Sequence, residues 1–289
     1  MTEFFGQPAA SLVNSYVRLD YLTQAGPRIV GLYLAQREEN LLVELPEEGW
    51  ETPGGYFQFF GGHRLWAAPE VAGVSYLPDS DGLRVEQDDS SATLTWEPRS
   101  GRGLSKTVRI KLIDDRAAVH VTHHITNRYD HPVRVAPWGI TALPLGGKAY
   151  LPAAAQGEGF LPDRQLIVWP YARWDDPRLH LMRGGVAIDG DAALPPVKVG
   201  TYAHSGCCAY LREELLLVKR FQPTPGEYPD RGCNVEVYCS DLFIELETLG
   251  PLADLPPGAE ACAEETWELY AGQQALQMLD QIFDNGGHA

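Results

Sequence analysis

Basic residues are scarce in this chain. Over 289 residues, 23 Lys and Arg stand against 39 Asp and Glu, a formal net charge of −16. No basic stripe is present, which argues against nucleic acid and against anionic membrane surfaces as partners. Long apolar runs are also missing. No window reaches the ~18 apolar residues that a membrane span requires. The first twenty residues, MTEFFGQPAASLVNSYVRLD, show no basic n-region and no extended apolar stretch. That reads as a chain without a signal peptide, with a cytoplasmic location. The five cysteines (Cys207, Cys208, Cys233, Cys239 and Cys262) are odd in number and show no CxxC spacing. Neither a zinc site nor a disulfide framework is expected from them. Each reads as a reduced, small apolar side chain. There is no internal repeat, low-complexity tract or linker, so residues 1–289 are expected to form a single domain. No motif calls for a cofactor, and the sequence does not set an oligomeric state.

What is present is turn-rich and strand-rich. Hydrophobic residues make up 44%, enough for a sizeable core, and 29 Gly and 22 Pro suit many short strands and turns. Apolar-alternating runs appear at 16–22, 28–34 and 40–45. The stretch LRVEQDDSSATLTWEP (83–98) reads as a hairpin, and SKTVRIKLIDDRAAVHVTHHITN (105–127) as a second. The segments 136–152 and 169–180 are rich in Pro, Gly and aromatics and read as long loops with short strands. Strand alternation resumes at 209–221, and 223–232 reads as a loop. One helix is expected, at 271–283, with Ala275, Leu276, Leu279, Ile282 and Phe283 at helical spacing and Gly286-Gly287 stopping it. Regular strands without intervening helices predict an antiparallel all-β sandwich or barrel.

The stretch DRGCNVEVYCSDLFIELET (230–248) concentrates carboxylates in a strand pair. With a tight turn at Ser240-Asp241, Glu236 would face Glu245, and Asn234 would face Glu247. Side chains alternate between faces, so Val235, Val237, Ile244 and Leu246 take the core face. Asn234, Glu236, Tyr238, Phe243, Glu245 and Glu247 take the other. Like charges opposite one another destabilise a sheet, and no basic residue lies in the pair. Two readings stay open: a solvated sheet face, or the polar lining of a cleft suited to a hydroxyl-rich ligand or a cation. His120, His123 and His124 point to alternating faces of their strand, poor geometry for a shared metal, so no metal site is expected.

Several of these segments resemble one family. LFIELETLGPLADLPPGAEACAEETWEL (242–269), YFQFFGGHRLWAAPE (56–70) and AGPRIVGLYLAQREENLLVEL (25–45) are similar to the corresponding stretches of the aldose 1-epimerase, or galactose mutarotase-like, superfamily. GGHRLW, WPY followed by DDPR, YPDRGCNVEVY and ELETLGP occur in the order of an uncharacterised bacterial branch. The resemblance implies a β-supersandwich of antiparallel sheets, with a short C-terminal helix, whose concave sheet binds sugar. It implies interconversion of aldose anomers, in which a carboxylate takes the proton of O1 and an acid protonates the ring oxygen. Glu247, in Leu246-Glu247-Thr248, stands at the position of the family's base. The family's acid is a histidine in the segment that here reads Pro137-Trp138-Gly139-Ile140-Thr141, where none is found. His63 is the substitute if the GGHRLW loop folds over the same cleft.

Arg64 is expected beside the carboxylates, offsetting their charge and donating to sugar oxygens. Trp66, Trp138, Trp169, Tyr171 and Trp174 are candidate stacking platforms for a sugar ring. Lys219-Arg220 and Asp230-Arg231 are further candidates for the rim, with surface pairing as the commoner role of such neighbours. Three functions follow from these residues: an epimerase with Glu247 as base, a sugar-binding protein without turnover, and glycoside cleavage by Glu247 with Glu236 or Glu245. The partner in each is a sugar or sugar derivative.

Overall fold

The structure is a computed structural model that describes residues 2–35, 37–153, 160 and 162–284. Among these, two large antiparallel sheets lie face to face. The first, eleven-stranded sheet runs Thr2–Phe4, Gln7–Val13, Val17–Leu22, Arg28–Leu34, His63–Ala68, Val133–Leu143, Ile244–Leu249, Val235–Cys239, Val197–Thr201 and Ile167–Val168, with Ala253–Leu255 also paired to Val133–Leu143. The second, ten-stranded sheet runs Leu179–Met182, Gly185–Asp189, Lys148–Pro152, Cys207–Arg212, Leu215–Arg220, Glu260–Ala271, Ala118–Asn127, Leu104–Leu112, Ser91–Trp96 and Leu83–Gln87. A separate hairpin, Glu44–Thr52 with Gly55–Gly61, stands over the first sheet.

Alternation decides which residues meet between the sheets. Leu65 and Ala67, Val237 and Leu246, Val108 and Ile110, and Val119 and Val121 all join one buried cluster. Each Val, Leu or Ile withdrawn from water contributes roughly 1.5–3 kcal/mol. The outer face of the first sheet carries a second cluster, with Phe57, Phe59, Trp66, Trp138 and Ile140. That second cluster is the floor of the cleft described below.

The expected hairpins form, with Val108 opposite His123 and Leu94 opposite Val108 across the neighbouring strand. Two expectations are corrected. Residues 136–152 are not mainly loop, because Val133–Leu143 is a central strand of eleven residues. Its proline is tolerated because pairing changes partner there: Ala253–Leu255 covers residues 133–135 and Ile244–Leu249 covers 138–143, so Pro137 sits at the junction, where its missing N–H costs least. Residues 40–43 are not strand, since the hairpin begins at Glu44.

The helix forms over Gln273–Asp284. Ala275, Met278, Leu279 and Ile282 cover Cys207, Ala209, Leu216 and Val218 on the outer face of the second sheet. Leu276 is off that i, i+3, i+4, i+7 stripe and is exposed, contrary to expectation. The side chain of Phe283 and the Gly286-Gly287 stop lie outside the described residues. All five cysteines are free, four of them buried and Cys262 exposed.

Candidate functional site

The double glycine before His63 sets the site's first strand. Gly61 and Gly62 both adopt left-handed backbone, with φ of +81° and +61°. A Cβ on Gly61 would lie 2.2 Å from the Val43 carbonyl oxygen, and one on Gly62 would lie 2.1 Å from that of Ile29. Only glycine meets both demands. The chain then enters His63–Ala68 as a strand rather than a loop. Arg64 and Trp66 point to the cleft, and His63 points between the sheets.

The carboxylate pair has a register two residues away from the expected one. Glu236 lies opposite Glu247 and Tyr238 opposite Glu245, because Ser240–Phe243 form a longer turn. A shift by two leaves every side chain on its expected face. Across the sheet, one row reads Arg64, Ile140, Glu247, Glu236 and Gly200. Gly200 adds no side chain to the row, and a Cβ there would stand 3.0 Å from Glu236 Cγ. The next row includes Lys198, Tyr238 and Glu245.

Two buried cations answer three carboxylates. Arg64 Nη1 donates to Glu245 Oε1 at 2.7 Å. Lys198 Nζ lies 2.8 Å from Glu236 Oε2 and 2.9 Å from Glu247 Oε2. Trp138 Nε1 donates to the same Glu247 oxygen at 2.7 Å. Burial works against the Lys198 charge, but Glu236 and Glu247 outweigh it and hold the ammonium well above the ordinary lysine range. Burial pushes Glu236 well above the ordinary carboxylate range, and Glu247 adds to the push against Lys198. One ammonium therefore serves two carboxylates. Burial raises Glu245 too, with Arg64 opposing.

The cleft above this floor has a volume of about 530 Å³. Trp50 and Phe59 of the hairpin form one wall, and Tyr171, Pro195 and Pro196 the other. Arg64 lies 4.1 Å over the Trp66 ring, and Lys198 lies 4.6 Å over Trp138 and 4.8 Å over Trp169. Among the described residues that line the cleft, three buried side-chain polar atoms have no hydrogen-bond partner: Glu247 Oε1, Arg64 Nε and Trp66 Nε1. A pocket of this size, mostly aromatic and carrying a few convergent polar groups, suits a small polyhydroxylated molecule.

Of the residues singled out from sequence, Arg64, Trp66, Trp138, Tyr171, Glu245 and Glu247 line this cleft. Glu236 stands directly behind it, fully buried. Trp169 touches Lys198 and does not line the cleft. Trp174 is exposed. Asn234 does not line the cleft; its side chain accepts from Ala203 N and donates to Ala203 O. Asp230 and Arg231, in left-handed backbone, line a different depression with Tyr202 and His204. Lys198 was not foreseen, because VKVG (197–200) carries no motif. Glu70, at the rim, was missed as well.

His63 does not reach the carboxylates. It sits between the sheets with His123, Glu265 and Lys219, brought together from strands far apart in sequence. Lys219 is fully buried rather than a surface residue. Thr141 Oγ1 meets His63 Nδ1 at 2.9 Å, His63 Nε2 meets His123 Nε2 at 2.8 Å, and His123 Nδ1 meets Glu265 Oε1 at 3.4 Å. Lys219 Nζ lies 3.0 Å from Glu265 Oε2, and Thr248 and Trp267 also donate to that carboxylate. Burial holds His63 well below its ordinary range and lowers His123 to about 4, despite Glu265. Burial works against the Glu265 charge, but Lys219 and His123 bring it below the ordinary range.

His63, His123 and Glu265 can present ligand atoms within 4.8 Å of one another. The fit to a metal is poor. Two nitrogens on one tetrahedral zinc stand ~3.3 Å apart, and here Glu265 faces the far nitrogen of His123 while an ammonium already neutralises it. The arrangement is a hydrogen-bonded chain joining the sheets. Gly139 leaves room for it, since a Cβ there would stand 2.7 Å from Glu265 Oε1.

No family model matches the chain. A 97-residue stretch is 37% identical to the membrane protein insertase YidC of Roseobacter denitrificans, spanning 32% of this chain and only 15% of that protein. Solved structures match far more of it. One provisionally assigned as an aldose 1-epimerase, from Escherichia coli K12, is 16% identical with a TM-score of 0.57, over 92% of this chain and all of that one. A galactose mutarotase-like protein from Lactobacillus casei is 11% identical with a TM-score of 0.55, over 91% and 100% of the two chains. A third, provisionally an aldose 1-epimerase from Klebsiella pneumoniae, is 10% identical with a TM-score of 0.60, over 94% and 81%. At these identities the likeness establishes the fold.

Proposed function

From a galactose mutarotase-like fold with a carboxylate-floored aromatic cleft, we propose that this protein binds a sugar or sugar derivative and interconverts aldose anomers, with Glu247 as the base. The observation that carries the reading is the split environment of one carboxylate. Glu247 Oε2 is held by Lys198 and Trp138, while Oε1 is buried without a partner. An oxygen so placed can accept the O1 proton of a sugar seated on the floor, and its twin fixes the group's orientation. The faces of Trp66, Trp138 and Tyr171 supply apolar cover for the C–H side of a ring. Arg64 Nε and Trp66 Nε1 supply donors for hydroxyl oxygens.

A second reading is sugar binding without turnover. It is favoured by the placement of His63 between the sheets, which leaves no histidine among the described residues lining the cleft. Glycoside cleavage has less support, since Glu236 stands behind the cleft and Glu245 is tied to Arg64. Polarimetry on fresh α-D-glucose and α-D-galactose, beside calorimetric titration with the same sugars, separates the first two. Acceleration over buffer supports the epimerase; heat of binding with no acceleration supports the binding protein.

A further inference from the structure

Anomer interconversion needs a proton donor as well as a base, and this cleft offers few. Among the described residues, three carboxylates line it: Glu70, Glu245 and Glu247. Glu245 is paired with Arg64, and Glu247 with Lys198. Glu70 has no cation at ion-pair distance among the described residues. It follows Ala68-Pro69 at the end of the strand that carries Arg64 and Trp66, and the phenol of Tyr76 donates to its Oε1. Its other side meets solvent.

We propose that Glu70 is the proton donor of this cleft, acting opposite Glu247 in the anomer interconversion proposed above, on which this assignment rests. The other candidates are worse placed. Glu236 is fully buried behind the floor and does not line the cleft. Burial raises the Tyr171 phenol above its ordinary range, and the two glutamates beside Lys198 keep its ammonium charged, so neither gives up a proton readily. Glu70 differs. Burial against the cleft wall raises its carboxyl, Glu247 and Asp230 add to the rise, and Lys198 and Arg64 oppose it. Two carboxyl groups in one cleft, one paired with a cation and one unpaired, divide into base and acid.

The step balances. Glu247 takes the proton of O1–H, the C1–O5 bond breaks as C1=O1 forms, and the ring oxygen takes the proton of Glu70. After rotation about C1–C2 the transfers run in reverse. O5–H returns its proton to Glu70 as O5 attacks C1, and O1 recovers a proton from Glu247. Both groups end as they began, and the solvent-facing side of Glu70 lets it equilibrate with water between turnovers.

The test is the pH dependence of kcat/KM on fresh α-D-glucose and α-D-galactose for the wild type, Glu70→Gln, Glu70→Asp and Glu247→Gln, with sugar affinity measured by calorimetry. Glu70→Gln is expected to lower kcat/KM by about 10²–10⁴-fold, to abolish the fall in rate on the alkaline side, and to leave affinity within a few-fold. Glu70→Asp is expected to restore part of the rate. A Glu70→Gln protein with the wild-type rate and alkaline limb, beside an inactive Glu247→Gln, would overturn the assignment and leave the epimerase reading standing. A wild type that accelerates neither sugar would overturn both.

Discussion

Lys198 Nζ and Glu247 Oε2 meet at 2.9 Å on the cleft floor, and the same ammonium serves Glu236. The cation sits between the rings of Trp138 and Trp169, nearly sealed from water. Removing it leaves buried carboxylates with one cation too few. Lys198→Met is therefore expected to destabilise the protein by about 3–5 kcal/mol. The double variant Lys198→Met/Glu236→Gln, which removes one charge of each sign, should recover part of that loss. Urea unfolding of the wild type and both variants checks the sign and the recovery.

Trp138 carries a separate role that a ring-preserving substitution isolates. Trp138→Phe keeps an aromatic face and loses the N–H to Glu247. A hydrogen bond to a charged group contributes about 1.5–3 kcal/mol. Any catalytic rate should fall by roughly 10–100-fold, with sugar affinity little changed. Steady-state kinetics beside calorimetry reads the split.

The Gly61-Gly62 pair is predicted to be intolerant for steric reasons. Gly62→Ala sets a Cβ 2.1 Å from a backbone oxygen at a φ of +61°. The cost should be about 2–4 kcal/mol from strain and forced backbone movement. Because Arg64 follows two residues later, sugar binding should weaken as well. Thermal unfolding and calorimetry on the variant test both effects.

The chain between the sheets predicts acid sensitivity. His123 is held neutral by burial, down to about 4, against an ordinary value near ~6.5. Between those values the unfolded chain binds a proton that the folded one refuses. Stability is therefore complete above the unfolded value and is lost as pH falls from about 6.5 towards 4, on the order of 3 kcal/mol from this group. His63 is shifted in the same direction. Unfolding free energies at pH 7.5 and pH 5 should differ by about 2 kcal/mol from this group, and His123→Gln should flatten the slope.

Much of the fold was legible in the sequence because strand alternation is a local property. The two hairpins at 83–127, the strand at 28–34 and the face carrying Glu236, Glu245 and Glu247 follow from period-two patterning, and the face survived a register error of two residues. What alternation cannot supply is which strands become neighbours. Lys198 reaches Glu247 only because Val197–Thr201 pairs with Val235–Cys239, a contact that no local signal announces. His63 illustrates the same limit. Read as part of a loop it could face anywhere, but as a strand residue beside Arg64 it must face the opposite way. The central strand at 133–143 was obscured by Pro137, whose tolerance depends on a change of partner strand.

Glu247 stands in this cleft as the proposed base of anomer interconversion. The most direct test of that role is polarimetry of fresh α-D-glucose and α-D-galactose with the wild type and Glu247→Gln, each confirmed by calorimetry to bind sugar. Acceleration by the wild type, loss of that acceleration in Glu247→Gln, and retained binding and fold are the expected results. A Glu247→Gln protein as fast as the wild type, or a wild type that binds sugar without accelerating its mutarotation, would contradict that role.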